Sequence, residues 1–451
     1  MLKRFVSVML VGCMVLLAMA GCAKKPEETN ETANGGNESA NGVEIVVWTG
    51  SEYANDEFGK ESEERFKAKH PEITVKTVVH DGDRVADFIT ASAAGNAPDE
   101  VAISFPMLSK LVFNGLIAPI DEYWNQWEES QYFLPEVIEN CKINGKLYGI
   151  PGETYLMGIV YNKRLFEEAG ITKAPETWDE LITVAKKLTD PAKQQVGFGL
   201  LTGQWVDWWF EYFVWQAGGD LTKQNEDGTV TCTFTDPAVI QAAEFYRKLK
   251  QEKVIQPDLT MDAATLNKNF AMGKIAMTIG TIGDTSAYTK LGMKKEDIGY
   301  ALFPKGPSGN NPSQFGGNLF GINASSPKEV QKAVFLHTAH QYCREEKIAR
   351  WKYDEERGLA SLKPSTRNDI NQLDYQPSLL AEKDAWNVLN SALHNLRLEY
   401  YAKGSVGKYI DTAIQKILSD DSVDIKKELE NAQIIAEKEG ASDFNKAILG
   451  K

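Results

Sequence analysis

Residues 43–104 read VEIVVWTGSEYANDEFGKESEERFKAKHPEITVKTVVHDGDRVADFITASAAGNAPDEVAIS. Short runs rich in β-branched residues, Val43–Thr49 and Ile73–Val79, and a third run at Glu100–Ser104 alternate with two stretches of helical spacing, Asp56–Lys69 and Arg84–Ala94. Valine, isoleucine and threonine fit a pleated, half-buried surface, whereas apolar residues recurring every three or four positions mark one face of a helix. Pro71 cannot continue the first helix and closes it. A further helix is expected at Met107–Asn114, stopped by Gly115. Strands and helices in alternation predict an α/β fold with a mainly parallel sheet flanked by helices on both faces.

In open sheets of this kind ligands gather beyond the carboxyl ends of the strands. The candidates there are Trp48 and Ser51 after the first strand, Asp83 after the second and Ser104 after the third. Trp48 reads equally well as a core aromatic at a strand end.

Upstream of this region, Lys3 and Arg4 precede an apolar run from Phe5 to Ala20 that ends in Ala20-Gly21-Cys22. That is the layout of a secretory signal, here 1–21, and the run falls short of the roughly 20 residues a spanning helix needs. Leu17-Ala18-Met19-Ala20-Gly21-Cys22 resembles a bacterial lipobox, with Met19 where leucine is usual. The resemblance implies lipidation at Cys22 and a protein held on the outer side of the cell membrane by its acyl chains. Residues 22–42, rich in Glu, Asn, Gly, Thr and Ala, read as a disordered tether.

The roughly 400 residues that follow exceed what one core usually supports, so two lobes are expected. Without Lys3 and Arg4, the 49 basic residues fall to 47 against 63 acidic ones, a formal charge of −16. Nucleic acid, whose binding rests on neutralising phosphates, is excluded as a partner. Cys141, Cys232 and Cys343 show no metal-ligand spacing, and a disulfide between two of them stays open. His337 and His340 stand three apart on an expected helix, where they either pack or meet a metal; no metal is assigned.

The stretch GKLYGIPGETYLMGIVYNKRLFEEAGITKAPETWDELITVAKKL at 145–188 is similar to the extracellular solute-binding proteins of bacterial ABC importers, the maltose-binding-like group. The matching landmarks are Tyr148-Gly149-Ile150-Pro151, Tyr161-Asn162-Lys163, Leu165-Phe166, Gly170, Pro175 and Thr177-Trp178. The likeness continues through Asn269–Met277 and Gly316–Ile322. Read physically, Ile150-Pro151 ends one segment and Met157–Tyr161 begins a strand. Thr177 is an N-cap whose capping box is completed by Glu180, and Trp178 is a structural anchor. Asn269–Met277 reads as a helix ended by Gly273 and a strand that reaches a loop at Gly280. The paired Gly316 and Gly317 precede a strand and serve either as a hinge or as a plain turn.

The resemblance implies a two-lobed, type II periplasmic-binding-protein-like fold with the ligand cleft between lobes. Its expected parts are 43–152 with 318–372 for the N-terminal lobe and 153–317 with 373–451 for the C-terminal lobe. It implies capture of a small solute, most simply a carbohydrate, by a monomer that delivers it to the transmembrane subunits of an ABC permease. No cofactor and no catalytic residue are expected. By family position, Glu153, Tyr155, Asn318 and Arg397 are candidate ligand residues. The loop at Gly280 carries Thr281 but lacks the tryptophan that family members often present there.

Trp205, Asp207, Trp208, Trp209, Tyr212 and Trp215 crowd into eleven residues, although the chain holds ten tryptophans in all. On one helix, Trp205, Trp208, Trp209 and Tyr212 would share a stripe, which reads first as a packed face. Aromatic rings also suit the apolar faces of sugars, so Trp205 and Asp207 join the candidates. Arg397 either reaches the cleft or forms a salt bridge with Glu399 or Asp384. A secreted glycosidase, needing two carboxylates at a fixed separation, is the competing class. Within the same fold, a peptide, polyamine, oligomeric uronate or metal chelate is the competing cargo.

Overall fold

The computed structural model describes residues 42–449; the signal segment with Lys3 and Arg4, Cys22 and the tether up to residue 41 lie outside the described residues. The strands that matter for function are β1 (Val43–Thr49), β2 (Ile73–Val79), β3 (Glu100–Ser104), β4 (Ile150–Asn162), β5 (Val196–Gly199), β6 (Ile275–Thr281), β7 (Ile298–Ala301) and β8 (Ser313–Asn323). The main helices are α1 (Glu57–Lys69), α2 (Arg84–Ala94), α3 (Trp178–Leu188), α4 (Val206–Gln216), α5 (Pro237–Gln251), α6 (Lys328–Tyr342), α7 (Arg344–Glu356) and α8 (Lys403–Ser419). No described helix is long and apolar enough to cross a membrane.

One sheet runs in the order β2-β1-β3-β8-β4-β6-β5, with β7 also paired to β4. Strands β1, β2 and β3 are parallel, as are β5 and β6. The antiparallel partners are β4, β7 and β8, so the sheet is mixed where the chain crosses. The first half of β4 pairs with β8, and its second half with β6 and β7. Two long strands, β4 and β8, therefore join the β1–β3 half to the β5–β7 half, which is the two-lobed architecture.

Local chemistry accounts for the ends of the elements. The Asp83 carboxylate accepts from the N–H groups of Val85 (3.2 Å) and Ala86 (3.1 Å), satisfying orphan donors at the start of α2. Gly95, at φ +76°, ends that helix. Three expectations change in detail. The helix expected at Met107–Asn114 is a 3₁₀ turn at Phe105–Met107 followed by a helix at Leu108–Phe113, with Pro106 in the opening turn. Ile150-Pro151 does not end a segment: it opens the continuous strand β4. Proline lacks the ladder donor, and the β8 register opposite shifts by one between Gly317 and Leu319, where Leu319 faces Pro151. For the same reason Gly316 and Gly317 lie inside β8 rather than before it.

Thr177 caps α3, its hydroxyl accepting from the Glu180 N–H at 3.2 Å. Glu180 reaches back to the N–H of Glu176 (2.7 Å), one residue earlier than a standard capping box. Trp178 is buried and stacked on Phe245 with centroids 4.2 Å apart, and its Nε1 donates to Gln216 Oε1 at 2.6 Å. The crowded aromatics are explained by α4, which packs against α5 and α8 and is buried on nearly every face. Trp205 is not on its stripe: it is the N-cap residue, at φ +49°. Cys141, Cys232 and Cys343 are free thiols.

A candidate ligand site at the strand crossing

The point where β4 and β8 pass one another is built from glycines for steric reasons. A Cβ on Gly316 would lie 2.0 Å from the Tyr155 ring, one on Gly317 would lie 2.1 Å from the Glu153 carbonyl oxygen, and one on Gly152 would lie 2.5 Å from Asn318 Oδ1. Their absence of side chains lets Glu153, Tyr155 and Asn318 converge. Two cavities of about 390 and 530 Å³ meet there, sharing Glu153 and Asn318 as lining residues. Asn318 Oδ1 and Thr154 Oγ1 are buried and have no hydrogen-bond partner among the described residues. Each such orphan costs about 1–3 kcal/mol unless something supplies the missing bond.

The first cavity runs from the carboxyl end of β1 beneath α1, α6 and α7. Trp48 lines it, stacked on His80 at 4.2 Å. Phe320 and Tyr342 add further aromatic wall, 5.6 Å apart. At its inner side, His337 Nε2 meets Glu63 Oε1 at 2.7 Å and its Nδ1 faces Glu100 Oε2 at 3.5 Å, an ionic distance rather than a hydrogen bond. Burial works against a charged ring, but Glu100 and Glu63 outweigh it and raise His337 to about 10. His340 is buried against Ser62 and Glu346. The two histidines are thus packed, and no cluster of three metal-ligating side chains occurs among the described residues.

The second cavity is lined by Thr154, Tyr155, Thr281 and Lys363. Glu153 accepts an ion pair from Lys363 at 2.8 Å. Burial works to raise the Glu153 carboxyl, but Lys363, Lys347 and Arg350 hold it below the usual range. Beside Tyr155, Gln314 Oε1 accepts from Trp208 Nε1 (2.8 Å) and from the Tyr212 hydroxyl (2.5 Å). Larger than either is a groove of about 910 Å³, but it sits at the amino ends of β5 and β6, the wrong end for a ligand in this kind of sheet.

The sequence candidates therefore divide. Trp48, Glu153, Tyr155, Thr281 and Asn318 line the joined cavities. Ser104 is exposed and pairs in register with Asn318. Ser51 is exposed, and its N–H donates to Asp81 at 2.7 Å. Trp205 is 55% exposed, set against Trp208 at 6.4 Å. The other three are occupied elsewhere. Asp83 caps α2. Asp207 is only 4% exposed; it accepts from the Tyr400 hydroxyl at 2.5 Å, and burial together with its charge pushes the neighbouring Asp411 carboxyl upward. Arg397 pairs with Asp220 at 2.6 Å, not with Glu399 or Asp384, and lies over the Trp215 ring at 5.2 Å. Sequence reasoning missed Tyr342, Lys347 and Phe320. The helical run that holds Lys347, REEKIARWKYDEE, has the look of an ordinary solvated face.

A model of the bacterial extracellular solute-binding protein family matches residues 49–340. The chain is 31% identical over 258 residues to a putative binding protein of Brucella abortus (strain 2308), covering 55% of this chain and 60% of that relative's length. It is 26% identical over 347 residues to the diacetylchitobiose binding protein of Streptomyces coelicolor, covering 75% of this chain and 77% of the relative. Among solved structures, an ABC substrate-binding protein from Listeria monocytogenes in complex with cycloalternan superimposes with a TM-score of 0.67 at 22% identity, covering 88% of this chain and 98% of the other.

Proposed function

Because the chain belongs to the bacterial extracellular solute-binding protein family, we propose that it captures a carbohydrate between two lobes and delivers it to the membrane subunits of an ABC importer. The observation that carries this reading is a pair of buried, unpartnered oxygens, Asn318 Oδ1, which lines both cavities, and Thr154 Oγ1, which lines the second. A solute hydroxyl donates the bond that each lacks, and Trp48, Tyr342 and Tyr155 supply ring faces around it. Relatives named for diacetylchitobiose and for galactooligosaccharide support sugar as the cargo class.

We take the lobes to be 43–152 with 318–372 and 153–317 with 373–451. Contacts made from both lobes exist only when they are closed, so the solute shifts the population by its differential affinity. Moving from mostly open to mostly closed takes about 5 kcal/mol of preference. Segment 1–21 is a signal and Cys22 is the site of the lipid anchor; the protein works as a monomer and catalyses no reaction on its cargo.

A thermal-shift panel tests the reading, since a ligand at 100 times its Kd stabilises by about 2.7 kcal/mol. A rise in Tm with one or more mono- or oligosaccharides, and none with amino acids, peptides or polyamines, is expected. A response confined to non-sugars, or turnover of chromogenic glycosides, overturns it.

A further inference from the structure

Every carboxylate lining the first cavity is already engaged. Asp56 is paired with Arg350, Glu63 with His337, Glu153 with Lys363 and Glu346 with Arg65, while Glu100 accepts from Thr338 and faces His337. Three cations stand outside these pairs. Lys60, Arg84 and Lys347 line the same cavity, and none of them has an ion pair among the described residues. Lys60 is exposed, but Arg84 and Lys347 are partly buried. Burial pushes the Lys347 ammonium down to about 8, against the pull of Glu153 and with the help of Lys363, Arg350 and Arg367. An ammonium shielded from water without a counter-ion is costly and persists where a partner of opposite charge will meet it.

Neutral hydroxyls need acceptors as well as donors; the carboxylates here are taken, and Asn318 Oδ1, which lines both cavities, is the acceptor left for a hydroxyl of the solute. On an acidic chain with a formal net charge of −14, three cations outside any ion pair on the wall of one cavity are a selective feature. We propose that the cavity beneath α1, α6 and α7 receives an anionic group, a carboxylate or phosphate carried by a sugar, with Lys347 as its direct counter-ion and Arg84 as the second cation. The proposal rests on the carbohydrate reading above and narrows it to acidic sugars. At about 390 Å³ the cavity accommodates such a group with its pyranose ring, and Glu153 and Asn318 connect it to the second cavity, where the remainder of the solute lies.

The test is titration calorimetry of the purified full-length protein with matched probes: glucose, galactose and cellobiose, against glucuronate, galacturonate, glucose 6-phosphate and a uronate disaccharide. Acidic members should bind tighter than their neutral counterparts by on the order of 10-fold or more, the effect of one charge-assisted hydrogen bond. Separate uronate and phosphate arms identify which anion is preferred. Lys347→Met should collapse that preference, whereas Lys347→Arg, which keeps the charge, and Lys352→Met, an exposed lysine of the same helix outside the cavity, should retain it. Neutral sugars binding as tightly as acidic ones, or a preference unchanged in Lys347→Met, overturns the proposal while the carbohydrate reading stands. Lys347-dependent binding of glutamate or glycerol phosphate with no sugar binding at all overturns the carbohydrate reading and keeps the anion site.

Discussion

Asn318 concentrates the account at the scale of a single residue. Its Oδ1 is already unpartnered, so Asn318→Ala removes no bond that the fold uses. Stability should change by less than about 1 kcal/mol, while affinity for the best carbohydrate falls on the order of 10-fold; a loss of Tm with unchanged affinity would contradict the assignment. His337 gives a prediction of a different kind. Its folded pKa, about 10, is raised above the ordinary 6.5 by Glu100 and Glu63. The stabilisation is therefore complete below about pH 6.5 and is lost as pH rises through about 10. Denaturant melts between pH 7 and 10 should show the wild type losing on the order of 2–4 kcal/mol more than His337→Gln, and parallel slopes would refute the ion pairs. Trp48 and Thr281, candidates as loop residues after strands, and Glu153, Tyr155 and Asn318, candidates by family position, all line the joined cavities. Arg397 and Asp207 meet Asp220 and Tyr400, 177 and 193 residues away, and no local pattern encodes such a pairing.

At the scale of elements, the ends of β1, β2, β3 and α2 follow from β-branched runs and from an Asp-to-Gly bracket, and the structure places them at the same residues. Strand β4 was legible only in part, since Pro151 and Gly152 look like punctuation when the partner strand is unknown. What permits them is the register shift in β8 at Gly317 and Leu319, which a single strand cannot reveal. The same crossing yields a sharp prediction. Gly317 has φ +127°, and a Cβ there would lie 2.1 Å from the Glu153 carbonyl oxygen. Gly317→Ala must move the backbone of β4 or β8 and should cost more than about 2 kcal/mol. Chemical denaturation checks this, and a variant as stable as the wild type would show that the crossing is looser than described. The aromatic density of α4 read first as a packed face, and α4 is buried between α5 and α8; the sequence did not show that Trp205 stands off that face as the N-cap residue.

The whole molecule is a mixed sheet divided by two crossing strands, with its cavities meeting where those strands meet. The family likeness was legible because its landmarks fall in order along the chain, and the match over residues 49–340 bears it out. The lack of an ion pair at Lys347 was not, because it depends on which carboxylates are already paired across α1, α6 and α7. A solute gripped from both halves shifts the molecule toward the closed form by its differential affinity for that form. Small-angle X-ray scattering on the purified protein, with and without a saturating amount of the sugar giving the largest thermal shift, measures that motion. A smaller radius of gyration and a shortened maximum dimension are expected in the presence of the sugar; superimposable curves at proven saturation would show that the two halves do not close on it.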